Sequence, residues 1–122
     1  MKKTILAVDD NESITAMIKE QLKTLNPDWT ILTASGGEEG LRILEKHKVD
    51  LVLLDIMMPV MDGWTVAYKI KGNPKLKKVP IVFLTAKTDT ISKEMGDFMG
   101  DNYIEKPYDM HDLNKRIKQL LK

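Results

Sequence analysis

The sequence predicts an α/β fold, an open and doubly wound parallel sheet covered by helices on both faces. Three observations carry this. Short apolar runs alternate along the chain with segments whose apolar residues recur at steps of three and four. One run, Leu51–Leu54, is apolar without a break, as a strand buried on both faces requires. Turn-forming residues punctuate the joints between segments.

Ile5–Val8 reads as the first strand. Ile14, Met17, Ile18, Leu22 and Leu25 then mark a helix that Asn26-Pro27 ends. Trp29–Thr33 is a second strand, and Gly36-Gly37 opens a helix marked by Leu41 and Leu44. After Leu51–Leu54, Asp62 is placed to cap a helix carrying Trp64, Ala67 and Ile70. Asn73-Pro74 and Pro80 bracket the loop into a fourth strand, Ile81–Leu84. Ile91, Met95, Phe98 and Met99 have helical spacing, but Gly96 inside them costs about 1 kcal/mol relative to alanine, so a short or frayed helix is expected there. Tyr103–Ile104 is a weaker fifth strand. Asp109 can cap a last helix carrying Leu113, Ile117, Leu120 and Leu121.

The chain has 122 residues, the length of one domain, expected to span 1–122. At 43% hydrophobic it can build a core; at 30% charged it contains no apolar run of the roughly 20 residues a membrane helix needs. The stretch between Lys3 and Asp9 is too short for a signal-peptide core. The absence of cysteine excludes a disulfide scaffold, thiol catalysis and thiolate metal sites, and is compatible with the cytoplasmic location expected here. Nineteen basic and eighteen acidic residues leave a net charge of +1, so no global field draws the chain to nucleic acid. Lys69, Lys71, Lys75, Lys77 and Lys78 form a run without an acid, read as a solvated face. His47 and His111 are isolated and read as surface residues, and the methionines and Trp29 and Trp64 as packing residues.

In open parallel sheets ligands bind outside the carboxyl ends of the strands. The residues there are Asp9 and Asp10 after the first strand, Asp55 after the third, Thr85 after the fourth and Lys106 after the fifth. Two carboxylates ~4 Å apart repel by about 4 kcal/mol at an effective dielectric of 20. One lysine cannot neutralise three acids, so either one acid keeps its proton or a divalent cation binds. Oxygen ligands without His or Cys favour Mg²⁺ or Mn²⁺. With Lys106, Thr85 and backbone amides left to hold phosphate oxygens, the parts suit phosphoryl transfer, which is mostly positioning and charge neutralisation. No glycine-rich phosphate loop is present, which argues against a bound nucleotide. Asp55, on the most buried strand, is the best candidate for a carboxylate nucleophile.

The sequence resembles the receiver domains of two-component response regulators over essentially its whole length. The resemblance is carried by Ile-Leu-Ala-Val-Asp-Asp at 5–10, Asp-Leu-Val-Leu-Leu-Asp-Ile-Met-Met-Pro-Val-Met-Asp-Gly at 50–63, Pro-Ile-Val-Phe-Leu-Thr-Ala at 80–86 and Tyr-Ile-Glu-Lys-Pro at 103–107. It implies a flavodoxin-like (βα)5 sheet of order 2-1-3-4-5 and a switch phosphorylated on Asp55. By the same resemblance Asp10 and the Met57 carbonyl bind Mg²⁺ directly together with Asp55, and Asp9 binds largely through water. Thr85 and the Ala86 amide hold phosphoryl oxygens, Lys106 pairs with the phosphate, and Lys106-Pro107 is cis. Tyr103 takes the switch-aromatic position. The implied partners are a histidine kinase or histidine phosphotransfer protein and a downstream target that reads the surface of the last two helices and the strand between them. The family usually has Gly-Ala shortly before the aromatic, where this chain has Met99-Gly100, and the interval from Thr85 to Lys106 is about one residue short.

Other readings compete. An aspartate-nucleophile phosphohydrolase wants a second acid two residues after the nucleophile, where this chain has Met57. A flavodoxin wants hydroxyl-rich and glycine-rich phosphate loops, whereas the loop after the first strand carries Asp9, Asp10 and Glu12. A degenerate receiver acting only as a binding module would lack some of the five site residues, and all five are in place. The chain ends just after the last helix, which reads as a stand-alone receiver, a protein that promotes its own aspartyl phosphorylation and dephosphorylation without being a turnover enzyme.

Overall fold

The computed structural model describes residues 2–86 and 102–121. Five parallel strands, β1 (Thr4–Val8), β2 (Thr30–Ala34), β3 (Leu51–Asp55), β4 (Ile81–Ala86) and β5 (Tyr103–Lys106), form one sheet of order β2-β1-β3-β4-β5. The helices among the described residues are α1 (Glu12–Leu25), α2 (Gly37–Lys46), α3 (Gly63–Lys71) and α4 (Met110–Leu120). The expected helix around Ile91–Met99 lies outside the described residues.

Strand side chains alternate between the two faces of the sheet, and the core divides accordingly. Ile5, Ala7, Leu51, Leu53, Val82 and Leu84 pack with Ile18 and Leu22 of α1 and Leu113 and Ile117 of α4. Leu6, Val8, Val52, Leu54, Ile81 and Phe83 pack on the other face with Leu44 of α2 and Val66, Ala67 and Ile70 of α3. Every residue of β3 is buried, as its unbroken apolar run requires, while the edge strand β5 alternates between exposed and half-buried. The predicted two-sided sheet is therefore the observed one.

The predicted punctuation also holds. The side chains of the expected caps Asp62 and Asp109 accept a backbone N–H in the first turn of α3 and α4, from Thr65 and His111, and Asn11, which the sequence reading did not name, does the same for α1 from Ser13. Gly36 supplies no side chain to cap α2; instead the Glu39 carboxylate reaches back to the Ser35 N–H at 2.6 Å. Asn26 closes α1, and its amide Nδ2 donates to Leu22 O at 3.0 Å and to Asn114 Oδ1 at 2.8 Å, tying the end of α1 to α4. Gly63 sits so close to the end of β3 that an added Cβ would strike the Asp55 carbonyl oxygen and come within 2.8 Å of Ile56 Cα. This contact, with the Gly63 N–H donating to Ile56 O at 2.8 Å, presses the start of α3 against the last residue of β3.

Candidate functional site

Strand register assembles the site. Val8 pairs with Leu54, so Asp9 follows β1 at the level where Asp55 ends β3. Asp55 pairs with Leu84, which puts Thr85 one step beyond it on β4, and Ala86 pairs with Lys106 on β5. The ladder runs further than the apolar runs suggested: Asp55, Thr85, Ala86 and Lys106 are themselves strand residues. Hydrogen bonds from Asp9 N–H to Ala34 O (3.1 Å) and from Ile56 N–H to Leu84 O (3.2 Å) hold both acidic turns to the neighbouring strand.

The side chains converge. Asp9, Asp10 and Asp55 each offer a carboxylate oxygen within 4.8 Å of the others. Lys106 Nζ lies 3.0 Å from Asp55 Oδ1 and 3.8 Å from Asp9 Oδ2. Asp9, Asp55 and Thr85 are buried, at 3%, 5% and 2% exposure, while Asp10 faces solvent. Thr85 Oγ1 donates to Ala86 O at 3.3 Å. Met57 is largely exposed beside the cluster, so the position where a phosphohydrolase would carry its acid holds a thioether. The Lys106-Pro107 peptide bond is cis. Tyr103 is 43% exposed at the start of β5, which places it outside the packed core.

The electrostatics are unbalanced. Burial pushes the Asp9 carboxyl up from 3.8 to about 6, and the charge of Asp55 and a hydrogen bond with Asp10 push the same way; the Asn11 N–H and Lys106 oppose them. Asp9 Oδ1 accepts that N–H at 2.9 Å. Its Oδ2 is fully buried and has no hydrogen-bond partner. An orphaned buried carboxylate oxygen beside two further carboxylates is a ligand set of hard oxygens aimed at one point, and it fits a divalent cation of the Mg²⁺ type.

Two residues at this edge escaped the sequence reading. Burial, with the charges of Asp9 and Asp55 adding to it, raises the Tyr108 hydroxyl to about 12, so this group feels the field of the acidic cluster. Its signal was its place directly after Lys106-Pro107. Val60, in the loop after Asp55, has φ 69° and is fully exposed. A β-branched residue in the left-handed region is strained, and nothing in its residue type announced it.

Comparison with known proteins agrees with this geometry. The family model for the response regulator receiver domain matches residues 5–118. The alkaline phosphatase synthesis transcriptional regulatory protein PhoP of Bacillus subtilis is 38% identical over 123 residues, covering 100% of this chain and 50% of PhoP. The probable transcriptional regulator ycf27 of Cyanidium caldarium is 37% identical, covering 97% of this chain and 46% of that protein. The chain thus spans about half the length of these curated relatives. The solved structure of the chemotaxis protein CheY4 of Vibrio cholerae superposes with a TM-score of 0.87 at 30% identity, covering 99% of this chain and 100% of CheY4. With a matching family model, a matching sheet order and acids, hydroxyl and lysine at the strand ends, the chain belongs to the response regulator receiver domain family, the phosphoaccepting signalling switches of two-component systems.

Proposed function

We propose that residues 1–122 act as one receiver unit whose phosphoacceptor is Asp55. The observation that carries this reading is the Lys106 ammonium 3.0 Å from a buried carboxylate that shares its edge with two more acids. An Asp55 oxygen attacks the phosphorus of a phosphohistidine. The P–N bond breaks as the P–O bond forms, and the departing imidazole nitrogen keeps the electron pair and takes a proton from solvent. Lys106 holds the attacking carboxylate in place and pairs with the added charge; the Thr85 hydroxyl and the Ala86 amide bind phosphoryl oxygens. Asp10, Asp55 and the Met57 carbonyl are the direct ligands for Mg²⁺, or Mn²⁺, with Asp9 binding largely through water. When bound, the ion supplies positive charge that lowers the repulsion between the carboxylates and the incoming phosphoryl group.

The donor is a histidine kinase or a histidine phosphotransfer protein, and the site is cytoplasmic. Thr85 and Tyr103 are the switch pair, and a downstream protein reads the surface beside β5. The domain promotes its own phosphorylation and dephosphorylation and turns over no external substrate. Mass spectrometry after incubation with a small-molecule phosphodonor and Mg²⁺ tests the assignment. One adduct of about 80 Da is expected on the wild type and none on Asp55→Asn. An adduct that persists in Asp55→Asn, or maps to a hydroxyl side chain, overturns it.

A further inference from the structure

The net charge of +1 hides a strong polarity. In this parallel arrangement the helices run back against the strands, so their amino ends gather at the phosphoacceptor edge and their carboxyl ends at the opposite pole. The charges follow. Acids occupy the first turns of α1, α2 and α4 (Glu12, Glu38 and Glu39, Asp112), and the last turns of α1 to α4 carry Lys23, Lys46, Lys71 and Lys118. The loop between α3 and β4 adds Lys75, Lys77 and Lys78 to that pole, all exposed. Among the described residues the acids there are Asp28, Glu45 and Asp50, and Asp50 accepts the Thr4 N–H at 2.8 Å.

Within this basic pole lies an open cavity of about 320 Å³. Pro27, Trp29 and Leu121 give it apolar walls, Lys3 and Lys118 stand at its rim, and Asp28 is the acid among its lining residues. Lys23 Nζ donates to the Trp29 carbonyl at 2.6 Å and fixes the segment that forms one wall. The volume is at the small end for ligand clefts and suits one or two side chains.

We propose that this pole is a docking surface for an acidic peptide segment of a partner protein, which seats one apolar side chain in the cavity while its carboxylates face the surrounding lysines. Charge complementarity selects an anionic partner, and the apolar walls select a peptide over a nucleic acid. The accessible apolar contact rests chiefly on exposed Pro27 and half-buried Leu121, whereas Trp29, 6% exposed, leaves little ring surface for a base to stack on. Neither arginine of the described residues, Arg42 or Arg116, lines the cavity, which therefore lacks the forked donors suited to phosphates. The surface lies at the opposite end of the strands from Asp55, so a partner can occupy it while a phosphodonor occupies the other edge.

The test uses a fluorescein-labelled nonapeptide of alternating Asp and Glu with a central Phe, the same peptide with a central Ala, and a labelled 20-nucleotide single-stranded DNA, each titrated by anisotropy in low salt. The Phe peptide is expected to bind at least tenfold more tightly than the Ala peptide and than the DNA. The double substitution Lys3→Glu with Lys118→Glu should weaken it at least tenfold, while Lys19→Glu, on the exposed side of α1, should leave it within twofold. In a Trp64→Phe background the remaining Trp29 emission should shift on binding, which locates the peptide without altering the basic pole. Equal binding of the Phe and Ala peptides, tighter binding of the DNA, an equal loss in Lys19→Glu, or an unmoved Trp29 emission would each overturn the proposal.

Discussion

Replacing Asp9 by asparagine is expected to stabilise the metal-free domain at neutral pH. The Asp9 carboxyl is 3% exposed, its Oδ2 has no hydrogen-bond partner, and burial with the charge of Asp55 raises it from 3.8 to about 6. A folded-state value above the unfolded one means the native protein holds a proton that the unfolded chain releases. Stability from this group is therefore complete below about pH 4, falls as pH rises to about 6, and stays lower above that. A difference of about two units corresponds to about 3 kcal/mol. Asparagine keeps an oxygen for the Asn11 N–H but loses the charge that strengthens that bond, which returns about 1 kcal/mol. The net gain is about 2 kcal/mol at pH 7.5 in chelator. For a chain of 122 residues, that raises Tm by about 8 °C. Urea unfolding of both proteins from pH 4 to pH 8 in chelator checks it. The variant should gain over wild type across pH 4–6 and hold a constant advantage above. A variant no more stable at pH 7.5, or a difference that does not change with pH, would refute the account of the buried carboxylate.

Three further outcomes follow from the same edge. Mg²⁺ should raise the wild-type Tm by scanning calorimetry, worth about 2.7 kcal/mol at a hundredfold excess over Kd, and Asp10→Ala should lose the effect; an equal rise in Asp10→Ala sinks the ligand assignment. Gly63→Ala should destabilise by about 2–3 kcal/mol in urea, because its Cβ would meet the Asp55 carbonyl oxygen and Ile56 Cα; an unchanged midpoint would mean the α3 start can retreat. Val60→Gly should stabilise by about 1 kcal/mol in urea unfolding, since φ 69° strains a side chain that buries nothing; a lower midpoint would show that Val60 packs in the native loop.

The central sheet was legible because its strands are apolar on both faces, and β1, β3 and β4 need no partner information to be recognised. Their ends were not. Asp55, Thr85 and Ala86 continue the ladder past the last apolar side chain, since backbone pairing tolerates a polar residue at a strand end that apolar periodicity reads as a stop. Asp9, Asp10, Asp55, Thr85 and Lys106 were found because each lies within two residues of the end of an apolar run, so topology alone placed them on one edge. Tyr108 and Val60 were missed because what sets them apart is tertiary: the burial of a hydroxyl near two acids, and a backbone angle fixed by the loop. Gly37 is similar. Its place at a helix start was readable, but the close approach of Val66 Cγ2, 2.6 Å from where a Cβ would stand, depends on how α2 meets α3.

On the proposed assignment, the sheet also decides where the added charge is felt. Phosphorylation replaces one carboxylate charge on Asp55 with about two on the phosphoryl oxygens, at a site where Asp9 Oδ2 already has no hydrogen bond and only the Lys106 ammonium 3.8 Å away. Asp55 ends β3, which is buried throughout, and Asp9 directly follows β1, which is buried beyond its first residue; both strands are held on both sides. They have little freedom to yield. The group best able to answer is Lys106 on β5, the edge strand whose residues alternate between exposed and half-buried. Local motions concentrate where burial is lowest, so the response to charge at Asp55 is directed sideways along the sheet toward β5 and Tyr103. The basic pole at the other end of the strands lies off that route, and a partner held there would remain bound through the switch.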